Sequence, residues 1–188
     1  HELLTPLTTL MSGAELAINS SKSLDEIREL LGSNLEDLQR IAGIVHDMLF
    51  LSQADRGAAA RRTSTPSLAA VVRRVAEYHE ATLDDAGLTL EVKGDVDGEF
   101  DLQLLQRAFS NLVSNATRYA TKGTSIVVSI EPDAFEQVTV LVENRGVPVD
   151  TQTLSRMFDR FFQADVSRSG SSKNHGLGLS IVAAVARM

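Results

Sequence analysis

The feature that most constrains the fold is an apolar seam that recurs at steps of three and four residues along the N-terminal third of the chain. The stretch SLDE precedes the seam, and its Ser23 and Glu26 have the spacing of a capping box that begins a helix. The seam then runs through Ile27, Leu31, Leu35, Leu38, Ala42, Val45 and Leu49. Because this period places side chains along one face of a helix, the sequence predicts a long helix whose apolar face needs a partner.

A shorter helical pattern, carried by Leu3, Leu7, Leu10, Ala14 and Ala17, comes before the seam. Only the polar segment NSSKS separates the two patterns, so we expect an antiparallel hairpin. Two helices alone bury little apolar surface, and each stripe is wide enough to face more than one neighbour. We therefore expect residues 1–56 to form a dimeric four-helix bundle with a second copy of the chain.

Residues 57–67 are small, basic and interrupted by proline, which is typical of a linker. The remaining residues, 68–188, alternate between helical and strand patterns. They include helical patterns over 67–86 and 150–162 and a strong helix over 101–120, which Asp101 begins as N-cap. The apolar side of this helix is carried by Leu104, Leu105, Ala108 and Leu112. Two strands, TSIVVSIEP and QVTVLVEN, are expected to form a hairpin. The pattern predicts an α/β sandwich with helices on one face of a sheet.

Composition excludes some functions. The formal net charge is −7, which disfavours a nucleic-acid or anionic-membrane binder because such proteins need a basic face. The chain has no cysteine, so it has neither a disulfide framework nor a thiolate metal site. No apolar run approaches the length of a membrane span.

His1 is followed by Glu2 and, one helical turn later on the same face, by Thr5. An imidazole is a competent nucleophile at neutral pH, and an adjacent carboxylate can fix its tautomer and take up its proton. On these residues alone, a solvated helix residue is the favoured interpretation of His1.

The helix predicted over 101–120 carries Asn111, Asn115 and Tyr119 on one stripe, with Arg118 on its flank. Two Asn carbonyls one turn apart can supply oxygen to a Mg²⁺ that also binds phosphates, and an Arg fork can bind phosphate oxygens. Asparagine is a poor helix former, so two on one stripe suggest a ligand. A metal–phosphate site and a merely polar helix face are equal alternatives at this point.

Two glycine-containing segments follow. VENRGVPVD leaves a strand at Asn144 and turns at Gly146, where a polar side chain is available to the edge of a base. SKNHGLGLSIV enters a helix through Gly176, Leu177 and Gly178, whose backbone N–H groups suit an anion. Its spacing is neither a Walker loop nor a dinucleotide fingerprint, so each segment alone is weak support for a binding site.

Together and in this order, the motifs resemble the transmitter region of bacterial sensor histidine kinases. HELLTPLTTL resembles their phosphoacceptor box, NLVSNATRYA their asparagine box, ENRGVPV their first glycine box, FDRFFQAD their phenylalanine box and HGLGLSIV their second glycine box. The resemblance extends from residue 1 to about residue 185, and the wording of NRGVPV and RFFQADVSR is most similar to the heavy-metal-sensing subgroup. It implies a dimerisation and histidine-phosphotransfer hairpin followed by an ATP-binding domain of the GHKL, or Bergerat, type.

The resemblance also implies roles for residues. His1 would attack the γ-phosphoryl group of ATP and later pass it to an aspartate of a response regulator. Glu2 would orient or deprotonate the imidazole, and Thr5 matches the position that aids the reverse, phosphatase reaction. The resemblance implies that Asn115 and Asn111 hold Mg²⁺ and that Arg118 contacts phosphate. It places Tyr119, Asn144 and Gly146 in the nucleotide site and Gly176, Leu177 and Gly178 in the second glycine box. Phe158 and Phe161 would support the base of an ATP lid over 163–175.

Three positions depart from the family pattern. Leu4 stands where the family usually has Arg, Asn144 where it has Asp, and Asn174 where it often has another Gly. These departures keep open an alternative, a non-catalytic dimeric scaffold that binds nucleotide and signals by conformation. A chaperone or mismatch-repair ATPase of the same superfamily would lack the His-bearing hairpin, so residues 1–56 argue against that function.

The resemblance further implies the cytoplasmic portion of a bacterial inner-membrane receptor, with any membrane contact through segments outside this sequence. It also implies a further strand after Met188. The expected partners are a second copy of the chain and a response regulator receiver domain, with no nucleic acid.

Overall fold

A long helical hairpin begins the fold. A computed structural model of the chain describes residues 4–19, 23–133, 137–164 and 175–188, except for the side chains of Thr5 and Asn19. Helix α1 spans Leu4–Asn19 and helix α2 spans Leu24–Asp55. The predicted capping box is confirmed, because Ser23 Oγ accepts the Glu26 N–H and the Glu26 carboxylate accepts the Ser23 N–H at 2.7 Å.

Helix α1 packs along α2, with Gly13 against the side chains of Leu30 and Asn34 and with Leu10 buried. The predicted seam of α2 is covered only in part by the rest of the chain. Its leucines remain open to solvent in the single chain; Leu31 is 59% and Leu49 is 58% exposed. The hairpin therefore keeps an apolar face that the described residues of the same chain leave largely exposed.

The second part of the chain is a mixed α/β domain. Its elements are β1 (Thr63–Thr65), α3 (Leu68–Tyr78), α4 (Glu80–Ala86), β2 (Thr89–Lys93), β3 (Gly98–Phe100), α5 (Leu102–Tyr119), β4 (Ser125–Pro132), β5 (Val138–Glu143), α6 (Thr151–Arg156) and α7 (Gly178–Arg187). The main sheet has the order β2-β4-β5, with β2 parallel and β5 antiparallel to β4. The predicted hairpin of two strands is confirmed as β4 and β5, and the predicted α/β architecture is confirmed as well.

Three local features differ from the sequence prediction. The predicted linker contains β1, which pairs antiparallel with the unpredicted strand β3. Three-residue strands are too short to show an alternating pattern, so neither could be recognised. The helix expected over 67–86 divides at His79 into α3 and α4, and α6 ends at Arg156 rather than near 162. The domain boundaries at 56 and 67 stay predictions.

Helix α5 lies between the sheet on one side and α7 on another. The predicted N-cap is confirmed, since Asp101 Oδ1 accepts the N–H groups of Gln103 and Leu104 at 3.1 and 3.2 Å. The sequence placed the apolar side of α5 at Leu104, Leu105, Ala108 and Leu112; the fully buried residues are Ala108, Phe109, Val113 and Ala116. The prediction was incomplete because a helix buried on two sides has no single apolar stripe.

The α/β domain packs on the C-terminal half of α2. A buried apolar cluster joins the two parts and contains Ile44 and Leu51 from α2 with Leu177, Ile181 and Ala184 from the region of α7. No described helix is both long and apolar enough to cross a membrane.

Candidate functional site

Helix α5 and the start of α7 approach each other closely at the asparagine stripe. Asn111 Nδ2 donates to the Arg107 carbonyl oxygen at 2.9 Å. Its Oδ1 faces Gly178, where an added Cβ would lie only 2.8 Å from that oxygen. Only glycine therefore fits at position 178 without displacing the Asn111 amide. Asn115 lies one turn further along α5 and is half-buried.

The start of α7 offers backbone N–H groups beside this amide. The helix begins at Gly178, and none of the described side chains caps its N-terminus. Leu177, just before the helix, is buried in the interdomain cluster. A helix N-terminus carries partial positive charge and unpaired N–H groups, so it favours an anion at this position.

The first glycine segment lies at the opposite end of α5. Gly146 forms a β-bridge with Ala120, and the Tyr119 carbonyl oxygen occupies the space that a Cβ on Gly146 would need. This contact brings Asn144 to the same corner as Tyr119, and both side chains are exposed. The Arg118 guanidinium lies over the Tyr119 ring, 5.5 Å from its centroid.

The two ends of the predicted lid meet at one point. The Phe161 N–H donates to the Gly176 carbonyl oxygen at 2.9 Å. Gly176 has φ +69°, and a Cβ there would lie 2.6 to 2.9 Å from backbone atoms of Phe161 and Phe162. Phe161 itself has φ +64°, and Phe158 beside it is 53% exposed. Most of the predicted lid, residues 165–174 with Asn174 among them, lies outside the described residues.

His79 contacts helix α5. His79 Nε2 lies 2.8 Å from Ser110 Oγ, and burial lowers the pKa of His79 below its ordinary value. Across the described parts of the chain, no group of three or more His, Asp or Glu side chains could hold a metal ion. A metal at this site would therefore depend on amide oxygens and phosphates. Asn111, which faces the start of α7, and Asn115, one turn further along α5, fit a Mg²⁺ that binds mainly through phosphates.

The predicted nucleophile is not part of this geometry. His1 and Glu2 lie outside the described residues, as does the side chain of Thr5. Their roles stay predictions.

Sequence reasoning missed the charged contacts between the two parts of the chain. Arg107 Nη2 lies 2.5 Å from Asp47 Oδ1, and Arg160 Nη2 lies 2.8 Å from both carboxylate oxygens of Asp55. The available signal was the position of Arg107 one turn before Asn111 on α5. Nothing in the pattern around Arg107 indicated its partner, which lies 60 residues away.

Comparison with known proteins identifies both parts. The model of the His Kinase A (phospho-acceptor) domain matches residues 1–57, which include the helical hairpin. The model of the histidine kinase-, DNA gyrase B- and HSP90-like ATPase matches residues 100–188, which include α5, both glycine segments and α7.

The chain belongs to the sensor histidine kinases.

Individual relatives agree with this assignment. The chain is 42% identical over 188 residues to sensor histidine kinase CusS of Escherichia coli K12, which covers 98% of this chain and 38% of that kinase. It is 34% identical over 185 residues to sensor protein IrlS of Burkholderia pseudomallei, covering 98% of this chain and 40% of IrlS. The chain thus spans about two fifths of the length of these curated relatives.

Solved kinases share the fold. Acinetobacter baumannii histidine kinase AdeS matches with a TM-score of 0.80 and 25% identity, over 98% of this chain and 85% of that one. Histidine kinase ThkA in complex with response regulator protein TrrA matches with a TM-score of 0.65 and 21% identity, over 87% of this chain and 48% of that one. The family, the fold class and the ATP-binding domain predicted from the sequence are confirmed, whereas the roles of single residues stay predictions.

Proposed function

We propose that the chain phosphorylates His1 with ATP and then passes the phosphoryl group to an aspartate of a response regulator. The observation that carries the proposal is the convergence of the asparagine helix, the second glycine segment and the phenylalanine segment at the N-terminus of α7. There Asn111 meets Gly178, and Phe161 meets Gly176. The same chain carries the phosphoacceptor domain that such an ATP site needs.

The nucleotide is held along α5. Its phosphates lie at Gly176, Leu177 and Gly178, where backbone N–H groups favour an anion. Its base end lies at Tyr119, Asn144 and Gly146, and Phe158 and Phe161 support the lid. Asn115 with Asn111 would hold Mg²⁺, which would neutralise negative charge on the phosphates, and Arg118 would add a guanidinium fork.

The reaction is a displacement at the γ-phosphorus. A ring nitrogen of His1 attacks the phosphorus, the bond to the β–γ bridging oxygen breaks, and ADP leaves with the electron pair. Glu2 accepts the proton from the other ring nitrogen, so the ring of the resulting phosphohistidine is neutral and its phosphoryl group keeps the negative charge. Such transfers depend mainly on positioning and on charge neutralisation, which the side chains of α5 and the backbone N–H groups at the start of α7 supply. Thr5 would support the reverse, phosphatase reaction on the regulator.

The partners follow from the open seam of the hairpin. Large apolar side chains on α1 and α2 are exposed in the single chain, including Leu7, Met11, Leu31, Leu35, Leu38 and Leu49. A second copy packed as a four-helix bundle would cover them, so we propose a homodimer. The second partner is a response regulator receiver domain.

We also propose that the chain is the cytoplasmic part of a bacterial inner-membrane receptor of the heavy-metal-sensing subgroup. The motif wording NRGVPV and the 42% identity to CusS support the subgroup. The cysteine-free sequence suits a reducing compartment, where ATP and response regulators are found.

The test is incubation with γ-labelled ATP and Mg²⁺, comparing the wild type with His1→Gln in a protein that carries extra residues before His1. Those residues allow a helix to form around the nucleophile. We expect acid-labile, base-stable label in the wild type and none in the variant. A folded, nucleotide-binding dimer without label would overturn the kinase assignment in favour of the non-catalytic scaffold.

A further inference from the structure

Arg107 belongs to none of the motifs above, yet it joins the nucleotide helix to the hairpin. Its Nη2 lies 2.5 Å from Asp47 Oδ1 and 3.4 Å from His46 Nδ1, and its Cζ lies 4.1 Å from the centroid of the Phe50 ring. All three partners are on neighbouring turns of α2. The guanidinium is therefore held by a charge, a ring nitrogen and an aromatic face together.

The environment of this contact differs from that of the other interdomain ion pair. The side chains of Arg107 and Asp47 are 20% and 32% exposed, whereas those of Arg160 and Asp55 are 45% and 52% exposed. Water and salt screen the second pair more strongly, so it constrains the two parts less. The pair on α5 is the better candidate for fixing the orientation of the domain.

The backbone of Arg107 leads directly to the site. Its carbonyl oxygen accepts the Asn111 Nδ2 hydrogen, and Asn111 Oδ1 faces Gly178 at the start of α7. A displacement of Arg107 relative to α2 therefore moves the amide that contacts the second glycine segment. A helix transmits such a movement because its backbone hydrogen bonds make it stiff along one turn.

We propose that Arg107 is a positioning residue for phosphoryl transfer. It binds α2 through its guanidinium and Asn111 through its carbonyl oxygen, and it thereby sets the phosphate end of the ATP site relative to the hairpin that carries the acceptor. This role rests on the kinase function proposed above. The positioning role predicts that loss of the Arg107 guanidinium slows phosphoryl transfer. Nucleotide binding should not change, because this guanidinium faces α2.

The test compares Arg107→Met, Asp47→Asn and their combination in the full chain, with Arg74→Met as the matched control. Arg74 is exposed on α3, so its change makes the same substitution away from the interface. The measurements are the rate of His1 labelling at saturating Mg²⁺ and ATP, the dissociation constant of a fluorescent ATP analogue, and thermal unfolding by circular dichroism.

We expect each single variant to slow labelling about tenfold, since small misplacements of reacting groups are costly in rate. The double variant should label no more slowly than either single variant, because the two substitutions remove the same contact between Arg107 and Asp47. Nucleotide affinity should stay within about twofold, Arg107→Lys should recover part of the rate, and the control should label normally.

Three results would overturn the proposal: an unchanged rate, a raised rate, or a loss of nucleotide affinity in parallel with the rate. Asp47→Asn guards against misfolding of the ATP-binding domain, since it changes only the hairpin side of the contact. If the wild type itself acquires no label, the proposed kinase function fails. If the wild type labels and both single variants label equally well, only the positioning role of Arg107 fails.

Discussion

Replacement of Gly176 by Ala tests whether the two ends of the lid are fixed against each other. Gly176 has φ +69°, a backbone conformation that costs an L-residue about 1–2 kcal/mol. The new methyl group would also lie 2.6 to 2.9 Å from three backbone atoms of Phe161 and Phe162. A backbone cannot move aside as the end of a long side chain can. This overpacking adds about 1–3 kcal/mol.

Gly123→Ala is the matched control. Gly123 has a similar φ of +79°, but no atom lies within 4 Å of its added Cβ. The control therefore carries the same conformational strain without the clash. We expect the free energy of unfolding to fall by about 1–2 kcal/mol for Gly123→Ala and by about 2–5 kcal/mol for Gly176→Ala.

The assay is urea unfolding followed by far-ultraviolet circular dichroism, because the chain contains no tryptophan to report by fluorescence. The affinity for an ATP analogue, measured on the same samples, should fall for Gly176→Ala only. Equal losses of stability in the two variants would refute the close contact between Gly176 and the phenylalanine segment.

Three further changes test other contacts. Asn115→Ala should abolish Mg²⁺-dependent labelling and leave the dimer intact by light scattering; normal labelling would refute the metal assignment. Asp101→Ala removes the cap of α5 and should lower the free energy of unfolding by about 1–2 kcal/mol in urea, whereas the exposed Asp97→Ala should change it little. Burial lowers the pKa of His79 below its ordinary value of 6.5. At a pH near or below 6.5 the unfolded chain therefore binds more protons at this residue than the folded chain does. The stability that neutral His79 contributes is present above pH 6.5 and is lost as the pH falls through the lowered pKa of the folded state. Wild type should therefore lose more stability than His79→Gln between about pH 7.5 and about pH 5.5, and equal losses would contradict the role of burial.

Features with a local physical cause could be predicted from the sequence. The capping box at Ser23, the N-cap at Asp101 and the hairpin of β4 and β5 each depend on residues close together in the chain. Helical period and capping chemistry determine them almost without regard to the rest of the fold. The ordered motifs likewise led to the correct family.

Features that depend on distant partners could not be predicted. The seam of α2 and the buried residues Ile44 and Leu51 have the same helical period, so spacing could not show that the ATP-binding domain would cover the latter two. The ion pair of Arg107 with Asp47 and the positive φ of Phe161 are likewise consequences of tertiary packing. The contacts between the domains therefore emerged only from the structure.

The proposed function requires that His1 receive the phosphoryl group from ATP. The most direct measurement is tandem mass spectrometry of the protein after incubation with Mg²⁺ and ATP and digestion under mildly basic conditions, which preserve phosphohistidine. We expect the added mass of one phosphoryl group on His1 in the wild type and none on His1 in the Asn115→Ala protein. A phosphoryl group on Thr5 or another hydroxyl side chain, with His1 unmodified, would contradict it.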